Sequence, residues 1–429
     1  MTRKMKDSGI EWIGEIPEDW EIVKIKHEYS FSTGFTPETN RVEFYCDESG
    51  YEWLNISDLD GSKFLNKQTK NKISKSYVDL FKPKSVPKGS LMYSFKLSVG
   101  QRAFSTREMY TNEAIASFVK MKDIDLNYFY YSSSLIEYNS NTNIYGARIL
   151  NQELIKNAPV PFPSIMEQNR ISNFLDKKTE QIEKLKNTIN KEIENLENYK
   201  KSVITEVVTK GLDKNVEMKD SGIEWIGEIP KHWEIIKIKD AFTRKNSKAN
   251  IEKPVILSLA RSGIKIRDIS NNEGQLAADY SNYNPVDIND LLLNPMDLIS
   301  GDNCNISKVK GVISPAYINL RFMQGTNPEF YNLYFKNLYW SKVFFAHGKG
   351  VSFENRWTLN YETLSQMKIP YPPILEQDRI ADYLVNKIKT TDDTIANKQK
   401  QLESLEEYKK SLIYEYVTGK KEVKDGEES

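Results

Sequence analysis

From Ser164 to Lys210 the chain runs without glycine or proline, and its apolar positions keep a seven-residue step: Leu175, Ile182, Ile189, Leu196 and Val203. Ile171, Leu185 and Tyr199 form a companion seam, while Lys178 and Glu192 interrupt it. Such spacing predicts a long helix, capped by Ser164 or a neighbour and running to about Val208, that pairs through a coiled-coil stripe. A second stripe follows Pro370-Tyr371-Pro372-Pro373, at Ile388, Thr391, Ile395, Lys398, Leu402 and Leu405. Each long helix is expected to pair with the other; heptads alone fit either a parallel or an antiparallel pair. At 1.5 Å per residue, some 42 residues reach roughly 60 Å.

Outside the helices the pattern is mixed. Ser90–Phe95 and Val255–Leu259 read as short strands near Gly89, Gly100, Gly263 and Gly274, and residues 127–138 and 328–344 read as aromatic-rich helices. Those aromatics either fill a core or stack on a ligand, and the pattern leaves both open.

The whole layout occurs twice. MKDSGIEWIGEIP at residues 5–17 recurs at 218–230, and over residues 5–26 against 218–239 only Glu18/Lys231, Asp19/His232 and Val23/Ile236 differ. Pro161, Pro163, Glu167, Gln168, Arg170, Ile171 and Leu175 reappear as Pro370, Pro372, Glu376, Gln377, Arg379, Ile380 and Leu384, and Tyr199-Lys200-Lys201-Ser202 as Tyr408-Lys409-Lys410-Ser411. Residues 27–150 and 240–355, by contrast, share little. A pseudo-two-fold relation between the copies would make the helices antiparallel, with the joint Thr209–Glu217 returning the chain. The prediction is an α+β protein: two mixed α/β domains in pseudo-two-fold arrangement, separated by two long helices forming an antiparallel coiled coil.

At 429 residues the chain suits two domains of about 150 residues plus connectors. Its 39% hydrophobic and 28% charged residues fit a globular protein with a polar surface, and no run approaches the roughly 18 apolar residues of a spanning helix. Cys46 and Cys304 have no spacing partner, which argues against a disulfide framework or zinc site and for a reducing cytoplasm.

Net charge is zero, yet its distribution is uneven. Residues 61–102 hold ten Lys or Arg against Asp79 alone, and residues 244–267 hold seven against Glu252 alone. Lysine-rich runs are often only solvated surface. One in each variable region of a duplicated chain points instead to phosphates and counterion release on nucleic acid. The DNA-binding candidates are Lys67, Lys70, Lys72, Lys75, Lys96 and Arg102 in the first region and Arg244, Lys245, Lys248, Arg261, Lys265 and Arg267 in the second. Arg102, Arg261 and Arg267 are the candidate base readers, because a guanidinium forks onto guanine.

Catalytic signatures are scarce. The sequence has no Gly-rich Lys-Ser/Thr phosphate loop, no Gly-x-Ser-x-Gly elbow and no His-Glu-x-x-His motif. His27, His232 and His347 are dispersed, Asn294-Pro295-Met296-Asp297 reads as a turn, and no pair of carboxylates stands out as acid and base. No catalytic or metal-binding residue is assigned.

The order of duplicated Gly-Ile-Glu-Trp-Ile-Gly-Glu-Ile-Pro segment, variable region and Pro-rich Glu-Gln-x-Arg-Ile helix start, all repeated, resembles the specificity subunit of Type I restriction-modification systems. Further likeness lies in Gly34-Phe35-Thr36-Pro37, Pro87-Lys88-Gly89-Ser90-Leu91 and Ser314-Pro315-Ala316-Tyr317. That resemblance implies a non-catalytic DNA-reading subunit. Its expected layout is a first target recognition domain at 1–163, a conserved helix at 164–210, a second recognition domain at 211–372, a second helix at 373–417 and a charged tail at 418–429. Each recognition domain would read half of a split site, with the helices spacing the halves. The implied partners are double-stranded DNA, two methyltransferase subunits and two restriction-translocase subunits. These would carry S-adenosylmethionine, ATP and magnesium, leaving this chain without a cofactor. Trp12, Trp20, Trp225, Trp233, Gln168, Arg170, Gln377 and Arg379 in the repeats are candidate partner-binding residues; the tryptophans would equally serve to clamp each repeat onto its own domain. A protein-interaction scaffold, or a self-contained nuclease or methyltransferase, are the alternatives to a DNA-reading subunit.

Overall fold

The computed structural model describes residues 3–46, 49–96, 98–121, 124–142, 148–251, 254–260, 263–267, 280–299, 303–350, 357–424 and 426. Its chain divides into two compact units, one comprising Met1–Thr188 with Lys400–Ser429, the other Ile189–Gln399. Each unit therefore takes one half of each long helix, Ile165–Lys210 and Ile374–Val417.

In the first unit the repeat opens as a hairpin, Met5–Asp7 antiparallel to Glu15–Pro17, and Glu21–Lys24 then pairs antiparallel with Pro159–Phe162. Prolines fit this last strand because a two-stranded pairing leaves half of its amide positions outside the ladder. The variable region forms a five-stranded sheet in the order Tyr29–Thr33, Ile115–Lys120, Leu91–Ser94, Arg102–Ser105, Phe64–Leu65. Beside it lies a small sheet of Tyr110–Thr111, Tyr51–Leu54, Asn71–Ile73 and Tyr45–Cys46.

The second unit repeats this frame. Met218–Asp220 pairs with Glu228–Pro230, and Glu234–Lys237 with Lys368–Tyr371. Its main sheet runs Phe242–Arg244, Ile318–Phe322, Leu291–Leu293, Cys304–Ile306. This is the order of the first four strands in the other unit, built from sequence with little in common.

Both predicted aromatic stretches are helical at Leu126–Ser132 and Pro328–Trp340, and most of their rings are core, Tyr138 being exposed. Tyr128, Phe129, Tyr131, Phe330, Tyr331, Tyr334, Phe335 and Tyr339 are all buried. Burial pushes the phenols of Tyr128 and Tyr331 well above their ordinary value. The ring-stacking alternative therefore falls away for these residues, while Asn294 turns as expected, its Oδ1 accepting from the Met296 amide at 3.0 Å.

The long helices pair antiparallel within each unit, which settles the direction that heptads left open. In the first unit Lys186 bonds Glu406 at 2.7 Å and Lys409 bonds Glu183 at 2.8 Å. In the second, Lys200 bonds Asp392 at 2.7 Å and Lys398 bonds Glu192 at 2.6 Å. As one residue number rises, its partner's falls. Glu192 and Lys398, polar breaks in the two stripes, are thus each other's partners, which keeps a charge at the seam paired. Ile182, Ile189, Thr391 and Ile395 are buried along the stripe. The companion seam holds only in part: Ile171 is buried, but Leu185 and Tyr199 are about half exposed, because two helices bury one stripe and not two.

These ion pairs make an acid-sensitive joint. Burial opposes ionisation of Glu183, but the Lys409 hydrogen bond and charge outweigh it and hold the carboxyl below its ordinary 4.5. The Lys186 hydrogen bond does the same for Glu406. A carboxylate depressed in the fold contributes stability above its unfolded pKa and loses it as pH falls through the folded value. Thermal melts followed by helical circular dichroism should therefore drop below the 4.5 of a free glutamate. Glu183→Gln with Glu406→Gln should shrink that drop; an unchanged acid profile in the double variant would contradict the assignment.

Candidate nucleic-acid interface

The basic segment of the first unit is distributed over a strand, a turn and a short helix. Lys67 is exposed and bonds Asp60 at 2.7 Å, which with Ser62 holds the Asp60 carboxyl well below its usual range. Lys70 is exposed, Lys72 is half-buried on the strand Asn71–Ile73, and Lys75 opens the helix Lys75–Phe81 in the open. Ser74 caps that helix, its hydroxyl accepting from the Tyr77 amide at 3.2 Å. Lys82, Lys84, Lys88 and Lys96 are exposed as well. Lys70, Lys72, Lys75, Lys82 and Lys84 thus belong to, or flank, the small sheet and its helix.

Arg102 is placed differently. It starts the strand Arg102–Ser105, half-buried, with its guanidinium 5.0 Å from the Tyr130 ring centre and Nη1 donating to the Gly100 carbonyl at 3.4 Å. Its Nε is buried without a hydrogen-bond partner. Ring stacking is a common way of presenting a guanidinium rigidly.

In the second unit the candidates divide. Lys248 and Lys265 are exposed, and Arg244 is half-buried over the Tyr361 ring at 4.6 Å. Arg267 is half-buried, its amide donating to the Ile256 carbonyl at 2.8 Å. Lys245 is held inside, bonding Asp287 at 2.9 Å and Asp290 at 2.7 Å; Arg321 bonds both carboxylates too. The Lys245 hydrogen bond leads the forces that hold the Asp287 carboxyl below its ordinary range. A lysine bound to two carboxylates is not available to a phosphate, so Lys245 leaves the interface. Arg261 lies outside the described residues.

The repeat residues expected to meet partners are largely spent internally. Gln168 is buried; its Oε1 accepts from the Asp125 amide at 3.0 Å and its Nε2 donates to the Pro163 carbonyl at 2.9 Å. Gln377 is its image, accepting from the Asn327 amide at 2.8 Å and donating to the Pro372 carbonyl at 2.8 Å. Arg170 is half-buried and donates to the Val423 carbonyl at 3.2 Å, whereas Arg379 is exposed.

Trp20 and Trp233 are fully buried, each under the end of a long helix. A Cβ added at Gly419 would meet Pro17 and come within 3.2 Å of Trp20; one added at Gly211 would lie 3.3 Å from Trp233. Both glycines also have positive φ, 70° and 78°, so the helix ends need glycine twice over. The polar surroundings differ. Trp20 donates from Nε1 to Glu167 at 2.8 Å, and Arg3 holds the same carboxylate at 2.6 Å. In the second copy Glu376 lies 2.7 Å from His232 instead, and Trp233 Nε1 has no partner. Trp12 stacks on Tyr138 at 5.3 Å and Trp225 meets His347 edge-on at 4.6 Å, both half-buried. Clamping is what the buried tryptophans do, so Trp20, Trp233, Gln168 and Gln377 are not accessible to a partner, while Trp12, Trp225, Arg170 and Arg379 keep exposed area.

Among the described residues no cluster of three or more His, Cys, Asp or Glu is arranged to hold a metal, and no helix is long and apolar enough to cross a membrane.

Residues 17–195 match the family model described as the Type I restriction modification DNA specificity domain. Over 433 residues the chain is 25% identical to the type I restriction enzyme MjaVIII specificity subunit of Methanocaldococcus jannaschii, covering 96% of this chain and 95% of that protein. The MjaIX specificity subunit of the same organism is 24% identical over 235 residues, covering 53% and 52%. A solved structure, described as showing complex assembly and conformational transition of the type I R-M system, superposes with a TM-score of 0.67 at 11% identity. It covers 94% of this chain and 98% of its own, and shows that the fold is shared. With its doubled frame, its family-model match over residues 17–195 and its similarity along nearly the whole length of a relative, the chain is similar to the specificity subunits of Type I restriction enzymes.

Proposed function

We propose that each unit reads one half of a bipartite, asymmetric DNA site, that the paired helices set the gap between the halves, and that the chain directs adenine methylation and restriction performed by partner subunits. The carrying observation is one frame used twice with different filling: the same sheet order, hairpin and helix clamp enclose two variable regions, each with exposed lysines. Identical frames suit two copies of one methyltransferase subunit; different fillings suit two different half-sites. The methyl donor, ATP and magnesium belong with the methyltransferase and translocase partners, and this chain supplies affinity and selectivity.

Division of labour follows from charge and geometry. Exposed lysines position the duplex through phosphates, and a few forked or hydrogen-bonding side chains read base edges. Arg102 and Arg267, one in each unit, are the readers assigned. Replacing Lys70 and Lys72 by alanine should weaken binding to every sequence and lower the slope of log K against log salt by about 2. Arg267→Ala should relax one half-site and leave the other. Equal loss on specific and random DNA for Arg267→Ala would remove it from the reading set.

The decisive experiment is to express the chain with its methyltransferase partner and map methylated adenine across the host genome at single-molecule resolution. Two short half-sites with a fixed gap are expected. No new methylation from an intact, methyl-donor-binding complex would move the weight to a protein scaffold.

A further inference from the structure

The helix Lys75–Phe81 ends in two apolar side chains that its unit leaves open. Leu80 is 67% and Phe81 53% exposed, on a surface otherwise rich in lysine. Phe81 is anchored on one side, its ring 4.6 Å from Tyr77 and 5.7 Å from Phe44, both buried in the small-sheet core. The helix is closed at both ends: Ser74 caps its start, and Lys82, at φ 46°, ends it with its amide donating to the Val78 carbonyl at 2.9 Å. An exposed Leu-Phe pair at a fixed tip is a surface that expects company.

Charge says what kind of company. From Lys70 to Lys88 the chain carries Lys70, Lys72, Lys75, Lys82, Lys84 and Lys88 against the single acid Asp79. Lys75, Lys82 and Lys84 flank the apolar pair in sequence and are all exposed. A protein partner recognised by Leu and Phe alone would not need this collar; a polyanion with an apolar interior does. Duplex DNA has phosphates at the groove edges and stacked bases within.

We propose, resting on the DNA-reading function above, that Leu80 and Phe81 are a wedge pressed into a groove of the bound duplex, with Lys75, Lys82 and Lys84 on the flanking phosphates. Wedges of this kind part a base step and bend the duplex. The energy of parting depends on the step, so the wedge adds sequence selectivity at a position read without hydrogen bonds.

The test uses the full chain, a duplex selected by it from a random pool, and a dye pair on the duplex ends that reports bending. Wild type should bend its selected duplex. Leu80→Ala should bind about tenfold more weakly with less bend and an unchanged salt slope, and Leu80→Met should restore both. Lys82→Ala with Lys84→Ala should lower the salt slope by about 2 while keeping the bend at low salt. Leu80 is largely exposed, so its replacement should leave the melting temperature unchanged. Selective binding by wild type with equal affinity and bend in Leu80→Ala would overturn the wedge while leaving DNA reading intact. Loss of binding to anionic lipid vesicles in Leu80→Ala, with DNA binding unaltered, would also overturn it. Failure of wild type to select any duplex would remove the reading on which the wedge rests.

Discussion

Trp20→Ala is expected to cost the first unit about 3–5 kcal/mol, the usual range for deleting a buried tryptophan. The indole is completely buried among Ile13, Ile16, Tyr128 and the helix-end residues Leu412, Tyr416 and Val417, so its removal opens a cavity where the second long helix is clamped. Trp233→Ala should do the same in the second unit, where Val207 and Val208 end the first long helix. Phenylalanine separates packing from hydrogen bonding. Trp20→Phe leaves a smaller cavity and also removes the donor to Glu167, a partly buried carboxylate. Trp233→Phe removes an indole nitrogen that has no partner. The first should therefore be the more destabilising by about 0.5–1.5 kcal/mol, the net contribution of one hydrogen bond, since Arg3 still holds the Glu167 carboxylate when the indole is gone. Denaturant titrations of the two variants against wild type give the comparison directly. Equal losses would mean that the Trp20–Glu167 bond contributes nothing.

That asymmetry traces to one substitution within an almost unvaried repeat and one just before it. Asp19 and His232 occupy equivalent places, and where the first copy has Arg3 the second has Val216. In the first copy Arg3 joins Asp19 to Glu167; in the second His232 reaches Glu376 itself. The frame thus tolerates different polar solutions around one buried ring.

Much of the frame was legible because its determinants are local or periodic. Proline runs before each long helix, the seven-residue steps and the aromatic helices act through backbone restriction and burial, and each appears where the pattern places it. Helix direction was not legible, since a heptad stripe reads the same both ways until charged partners are matched across it. Common sheet order in the two variable regions was invisible because strands of two to six residues carry little pattern, and different side chains can fill one frame. Among site residues, Lys245 counted as a free cation because Asp287 and Asp290 are distant in sequence. Gln168 and Gln377 recur for internal hydrogen bonding, a reason that repetition alone does not separate from docking. Leu80 and Phe81, an apolar pair followed by Lys82-Pro83-Lys84, do not stand out in the sequence because exposure of an apolar side chain is set by tertiary packing.

A heptad inserted into each long helix should abolish methylation at the native site and create it at a longer one. Insertion after Thr188 and, facing it, after Glu403 would keep Lys186–Glu406 and Lys409–Glu183 on one side, and Lys398–Glu192 and Lys200–Asp392 on the other, in register. Seven residues add about 10.5 Å of helix, or about three base pairs at 3.4 Å each. The gap between half-sites should therefore grow by up to about three base pairs. Twist limits the gain. A heptad rotates the helix face by only about 20°, whereas three base pairs turn the duplex by about 100° at 10.5 base pairs per turn. Activity at the lengthened site should accordingly be weaker than wild type. Three heptads in each helix add about 31.5 Å, nearly a full duplex turn, and should recover activity on a gap longer by about nine base pairs. Methylated-adenine maps of the two insertion variants report gap and activity together. An unchanged gap in both would remove the helix pair as the ruler, and a longer gap without recovery at three heptads would mean that the DNA, rather than the protein, absorbs the twist.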